Sequence, residues 1–140
     1  MAMTNHERVG KAMELLRDGL GLFVEREFQS VYKERSLDEA RRFAGEDRVA
    51  ARRTLPKWDV AALLKLMWDA WNDVFRTTLG HAERSLVSEL RETRNKWAHQ
   101  EPFSSDDAYR ALDSAGRLLT AVSAREADEV RQIRVVDQVA

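Results

Sequence analysis

No cysteine occurs among the 140 residues. Disulfides, thiolate metal sites and cysteine nucleophiles are therefore excluded. Histidine is sparse: His6, His81 and His99 are too dispersed to suggest a zinc cage, so no metal and no cofactor is expected. No apolar run is long enough to span a bilayer, and the opening MAMTNHERVGKAMELL carries too much charge for a secretory signal. The expected compartment is the cytoplasm, with no membrane partner. A surplus of one charge is missing too. Lys and Arg total 23 against 24 Asp and Glu, which leaves no overall field to hold nucleic acid, so any RNA contact has to be local. Strand signals are absent, with neither sustained period-two alternation nor an Asn-Gly or Asp-Gly hairpin turn. No Gly-rich phosphate loop is present, so the chain by itself is not an ATPase.

What is present reads as helix. A hydrophobic share of 44% suffices for one sizeable core in a single domain. Thr4-Asn5-His6-Glu7 has the form of a capping box and opens a first helix. Val9, Met13, Leu16 and Leu20 recur at three- or four-residue steps, and Phe23, Val24, Phe28, Val31 and Tyr32 continue them past an expected bend at Gly19 and Gly21. A second capping box, Ser36 to Glu39, starts a short helix through Phe43, ended by Gly45. Residues 46 to 56 are charged and poor in large apolar groups, the pattern of a connection.

From Trp58 the apolar face is continuous: Val60, Leu63, Leu64, Met67, Trp71, Val74, Phe75 and Thr78 predict a helix over about 58–79 with Gly80 as its C-cap. The next helix spans about 82–98 with Leu86, Val87, Leu90 and Trp97 inward, and Pro102 stops it. Ser104 or Ser105 caps a helix to about residue 123 carrying Ala108, Leu112, Ala115, Leu118, Leu119 and Val122. A third capping box, Ser123 to Glu126, precedes Val130, Ile133, Val136 and Val139. That last stripe meets no Gly or Pro, so the chain is expected to continue into a longer protein. The predicted fold is an all-α helical bundle: N-terminal helices and basic connection (1–55), core helices (56–124) and a trailing helix (125–140).

The chemistry concentrates in Leu90-Arg91-Glu92-Thr93-Arg94-Asn95-Lys96-Trp97-Ala98-His99. Arg94 offers a rigid fork of donors for phosphate oxygens, Asn95 can orient a neighbouring group, and His99 can exchange a proton near neutral pH. RNA cleavage needs that combination. The same Arg-His spacing recurs at Arg76 and His81, in RTTLGH, so spacing alone is a weak signal. On an ideal helix five residues turn the chain so that Arg94 and His99 lie about 140° apart. Either the helix ends or distorts between them, as Pro102 allows, or a working site is assembled from two copies. Without catalysis, Arg94 would tie the helix to Asp106 or Asp107, Asn95 would cap it, and His99 would sit at its C-terminus as a favourable charge.

The segment RNKWAHQEPFSSDDAYRALDSAGRLL resembles the HEPN superfamily of small helical domains, and more narrowly its Swt-type branch, over about residues 58 to 124. The resemblance implies a HEPN-like helical bundle and a metal-independent endoribonuclease in which Arg94, Asn95 and His99 are catalytic. It also implies pairing about a two-fold axis with both Arg-His sets in one cleft. Such domains often precede ATPase or helicase-like regions in prokaryotic conflict and phage-defence proteins. The expected partners are thus RNA, a second copy, and a C-terminal ATPase or helicase-like region of the same protein. A non-catalytic module that dimerises or recruits nucleic acid is the alternative.

Two further groups bear on RNA. Lys96 lies beside the motif as a candidate backbone-phosphate contact, and Arg41, Arg42, Arg48, Arg52 and Arg53 face only Glu46 and Asp47. That stretch is either a phosphate patch or a solvated face with internal ion pairs. Among the tryptophans, Trp71 and Trp97 fall on core faces and Trp58 flanks Pro56. Trp68 lies off the main stripe, where stacking or an interface is open to it.

Overall fold

The structure, a computed structural model, describes residues 3–45 and 53–139, with the side chains of the last five left out. It is all-α, with helices and short 3-10 turns and no strand among the described residues. Helix α1 (Asn5–Tyr32) is the axis of the bundle. The Thr4 hydroxyl accepts the Glu7 N–H at 3.1 Å, as the sequence pattern predicts. Val9, Met13, Leu16, Leu20, Val24 and Phe28 form its buried stripe, whereas Val31 is exposed.

The expected bend at Gly19 and Gly21 does not occur, because α1 runs through both without a break. These glycines serve packing. A Cβ on Gly19 would overlap Leu119 Cδ2, and one on Gly21 would stand 2.9 Å from the Pro56 Cα. Absent side chains therefore let two neighbouring segments sit against α1.

A 3-10 turn (Lys33–Arg35) leads into α2 (Ser36–Ala44). Ser36 is already helical and the preceding Arg35 makes no side-chain cap bond, so the second predicted capping box is not formed. Another 3-10 turn (Leu55–Lys57) follows residues 46–52. Trp58 is buried, and its indole N–H donates to the Arg53 carbonyl at 2.9 Å.

Asp59 caps α3 (Val60–Asp69) by accepting the Ala62 N–H at 2.9 Å. This helix is shorter than the predicted 58–79. Beyond Asp69 the hydrogen-bond register slips, with the N–H groups of Phe75 and Arg76 both on the Trp71 carbonyl at 3.1 and 3.0 Å. The chain then passes through a 3-10 turn (Phe75–Thr77). Trp71, Val74 and Phe75 are buried all the same. Periodicity reports which side faces the core and is blind to how the backbone bonds are closed. Thr78, expected inward, is exposed and donates to the Glu27 carboxylate at 2.6 Å.

Gly80 is the N-cap of α4 (His81–Ala98) and not a C-cap. Ser104 and Asp107 form a reciprocal capping box at the start of α5 (Ser105–Ala121), at 3.0 and 3.1 Å. The third predicted box, at Ser123, is replaced by a helix stop. Ser123 has φ 60, and the N–H groups of Ser123 and Ala124 return to the carbonyls of Thr120 and Leu119 at 3.0 and 2.9 Å. This is the Schellman pattern, with a serine where glycine is usual. Helix α6 (Glu126–Val139) then folds back on α5, where Val130 lies over Gly116 and Arg134 pairs with Asp113 at 2.5 Å. The expected inward residues Val136 and Val139 lie outside the described side chains.

Helix α4 runs antiparallel to α1, starting beside Glu27 and ending beside His6. Helix α5 returns parallel to α1, from Asn5 to Gly19. The main core surrounds α1 and includes Leu64, Met67, Trp71, Leu90, Leu112 and Leu119. Trp97, half-buried, joins a smaller cluster with Val9, Ala108, Ala111 and Phe103 at the end where α4 stops.

Candidate functional site

The end of α4 is built by three elements. It closes with a Schellman motif: the Gln100 N–H returns to the Trp97 carbonyl at 3.1 Å and the Glu101 N–H to the Lys96 carbonyl at 3.0 Å. Gln100 takes φ 57 for this purpose, and Pro102 follows. From α1, the His6 ring stacks on Trp97 with centroids 5.5 Å apart and planes 20° apart. His6 Nε2 lies 3.2 Å from the Trp97 carbonyl. Only an N–H can bond a carbonyl, so Nε2 carries the proton there. Asn5 donates to the Phe103 carbonyl at 3.1 Å, which fixes the loop after the motif to the same turn of α1. Sequence reasoning missed both contacts, since 91 and 98 residues separate the partners and a capping box says nothing of what its two middle residues touch.

On this support Arg94 is half-buried, while Asn95 and His99 are exposed. Among the described residues, the side chains of Arg94, Asn95 and His99 have no hydrogen-bond or ion-pair partner. The alternative tie from Arg94 to Asp106 or Asp107 is not made. The helix ends between Arg94 and His99, at Ala98, with His99 as its C-cap, yet the His99 N–H still returns to the Asn95 carbonyl at 3.0 Å. The helix end therefore leaves His99 near its helical position and does not bring it to Arg94. They stay about 140° apart around the axis, with Arg94 near the Leu90 side and His99 opposite it.

Lys96 is half-buried with its Nζ 5.1 Å from the Phe103 ring centre, a cation on an aromatic face. Nearby Asp107 is held below the usual carboxylate range, first by the Ser104 backbone N–H and then by the Ser104 hydroxyl.

The described part of the basic stretch that lies on α2 sits elsewhere. Helix α2 packs at the far end of α1, where Phe43 meets Phe28, about 33 Å along the helix from His6 at the ordinary rise per residue. Arg42 pairs with Glu39 at 2.9 Å and Arg41 approaches Asp38 at 4.0 Å. Both cations thus have acidic neighbours on their own helix. Arg53 is exposed. Arg48 and Arg52, with Glu46 and Asp47, lie outside the described residues.

A second constellation lines the exposed face of α4 nearer its start. There Arg84 lies over the Trp68 ring at 4.5 Å, beside an open groove of about 410 Å³ whose lining includes Ser85, Ser88 and Glu92. Glu89 is engaged by Arg110 and by the Ser114 hydroxyl, the latter at 2.5 Å. Among the described residues no group of His, Asp or Glu is arranged to hold a metal ion, and no helix is long and apolar enough to cross a membrane.

Residues 11–123 match the profile of the Swt1-like HEPN family, and the chain belongs to that family. The match starts well before residue 58 and includes most of α1, the helix against which the motif end is built. No curated protein and no solved structure matches the chain.

Proposed function

We propose that this domain is a metal-independent endoribonuclease that works as a two-fold pair. The observation that carries the proposal is the state of the motif side chains: among the described residues Arg94, Asn95 and His99 have no hydrogen-bond or ion-pair partner at a braced helix end. A cation, an amide and an imidazole left unpaired around one helix end among the described residues forgo hydrogen bonds and ion pairs that would stabilise the fold.

In the reaction, the ribose 2′-oxygen attacks the adjacent phosphorus as the bond to the 5′-oxygen breaks. His99 of one copy takes the 2′-hydroxyl proton and passes it to the departing 5′-oxygen. Arg94 of the second copy stabilises the charge gathering on the phosphate oxygens, and Asn95 orients the scissile group. The products are a 2′,3′-cyclic phosphate and a 5′-hydroxyl. The internal hydroxyl is the nucleophile, so no activated water is required.

The angle between the two side chains supports the pair, since groups about 140° apart on one helix do not readily close on one phosphate. The setting implied by the family is a defence or toxin protein in which a C-terminal ATPase or helicase-like region controls the domain. The test is cleavage of single-stranded RNA in EDTA, with sedimentation to follow pairing. His99→Ala and Arg94→Ala abolish cleavage and keep the parent's melting, Arg76→Ala cleaves like the parent, and a 2′-deoxy substitution at the cut blocks the reaction. The same separation of Arg94 and His99 also suits a module that only dimerises or recruits nucleic acid. Equal cleavage by parent and His99→Ala, or none by the full-length protein, selects that alternative.

A further inference from the structure

The exposed face of α4 carries more than the motif. His81, Ser85, Ser88, Glu92, Asn95 and His99 follow one another at steps of three and four, which places all six within about 40° of a common line along the helix. The groove is therefore continuous with the face that presents Asn95 and His99. Its wall is the Trp68–Arg84 stack, with the guanidinium 4.5 Å from the ring centre. Arg84 has no ion-pair partner among the described residues, and its Nε is buried without a hydrogen bond. Ser85 and Ser88 are small and leave the space in front of that wall open.

We propose that this groove is a base-reading subsite that takes guanine from single-stranded RNA bound across α4. The inference deepens the ribonuclease proposal and rests on it for the choice of RNA as ligand. Flat stacked surfaces of Trp and Arg accept the face of an unstacked base, whatever its identity. Identity is then read at the base edge by the groove's acceptor. Two carboxylates line the groove. Glu89 is already held by Arg110 and Ser114, so the free one is Glu92, which is exposed and has no partner among the described residues.

A carboxylate presents two acceptor oxygens side by side. Guanine alone answers with two adjacent donors, its ring N1–H and exocyclic amine. Adenine and cytosine set one amine beside an acceptor nitrogen that the carboxylate repels, and uracil sets its single N–H between two carbonyls. Glu92 stands two helical turns from His99, about 10 Å along the axis, so the base it holds belongs to a nucleotide near the scissile phosphate and not to the phosphate itself.

The experiment titrates the full chain with guanosine, adenosine, cytidine and uridine monophosphates, read by calorimetry and by tryptophan fluorescence. Guanosine monophosphate is expected to bind at least about tenfold more tightly than the other three. Glu92→Gln removes that preference, because its amide sets a donor beside an acceptor, Arg84→Ala weakens all four, and Arg76→Ala binds like the parent. Four equal affinities, no saturable binding of any nucleotide, or a Glu92→Gln protein that keeps its preference overturns the subsite. So does a Glu92→Gln protein that loses dimeric mass while its nucleotide affinities stay as they were, because the face then receives a second copy and not a base. Selective guanine-nucleotide binding without RNA cleavage leaves the subsite standing and removes the ribonuclease. Cleavage without guanine preference and without nucleotide binding removes the subsite alone.

Discussion

The two ends of α4 carry the same spacing of Arg and His in opposite surroundings. Arg76 belongs to a 3-10 turn and His81 is the first residue of the helix, so that pair straddles Leu79, Gly80 and a change of element. Arg94 and His99 instead share the last turns of one helix. That end is stopped by a Schellman motif, stacked on by His6 and tied through Phe103 to Asn5. A pair across a junction inherits whatever angle the turn happens to take. A pair on a braced helix end has a defined relation that a second copy can meet. The spacing is thus a necessary pattern, and the bracing is what makes one instance of it a candidate site.

The sharpest way to break this contrast is catalytic. His99→Ala should lower RNA cleavage by about 100- to 10,000-fold, the usual contribution of a positioned acid or base, while Arg76→Ala changes nothing. Equal effects of the two would show that bracing does not matter. A cleavage assay with a thermal melt on each variant decides it.

Stability separates the ends next. Trp71, beside the start of α4, is 4% exposed and packs on Phe75, so Trp71→Ala should cost about 3 to 5 kcal/mol. Trp97, half-buried at the other end, should cost less, about 2 to 3 kcal/mol. Trp97→Ala should nevertheless lower cleavage more than Trp71→Ala does at equal fraction folded, because it loosens the end that presents His99. Chemical denaturation together with activity at matched folded fraction checks both statements.

A smaller effect lies in the helix stop. Gln100 holds a left-handed backbone, so Gln100→Gly should stabilise the protein by about 1 kcal/mol. An unchanged denaturation midpoint would deny that this stop is strained. The smallest expected effect is on pH dependence. The Asp107 carboxyl is held below its ordinary value of 3.8 by Ser104, so its contribution is present above the carboxylate range and is lost as the pH falls through the lowered value. Asp107→Asn should therefore melt below the parent at neutral pH, with the difference shrinking once the pH drops below about 4. A difference independent of pH would remove the ionised carboxylate from the α5 cap.

Much of the fold was legible in the residues because burial imposes a period. The stripes of Val9 to Phe28 and Val60 to Phe75, with Leu90 and the α5 leucines, all face the core. Helix ends were less legible. Ser36 and Ser123 had the letters of capping boxes, yet one is already inside a helix and the other ends one. A serine's role depends on the dihedral angles that the neighbouring elements leave to it. Gly19 and Gly21 suggested a bend, and only the positions of Leu119 and Pro56 reveal that they are places of close approach.

For this protein the sequence by itself determined the helical class, the faces that are buried, the absence of thiol chemistry and the run Arg94-Asn95-Lys96-Trp97-Ala98-His99, since each follows from residue type and spacing along one chain. Only the tertiary structure decided the rest. It kept Arg94 and His99 on different faces of a regular helix, set the basic stretch of α2 at the far end of the bundle, braced the motif with His6 and Asn5, and opened a groove between Trp68, Arg84 and Glu92. Apart from the first, those relations join residues of different elements, and the packing of helices around α1, not any local preference, fixes the distances between them.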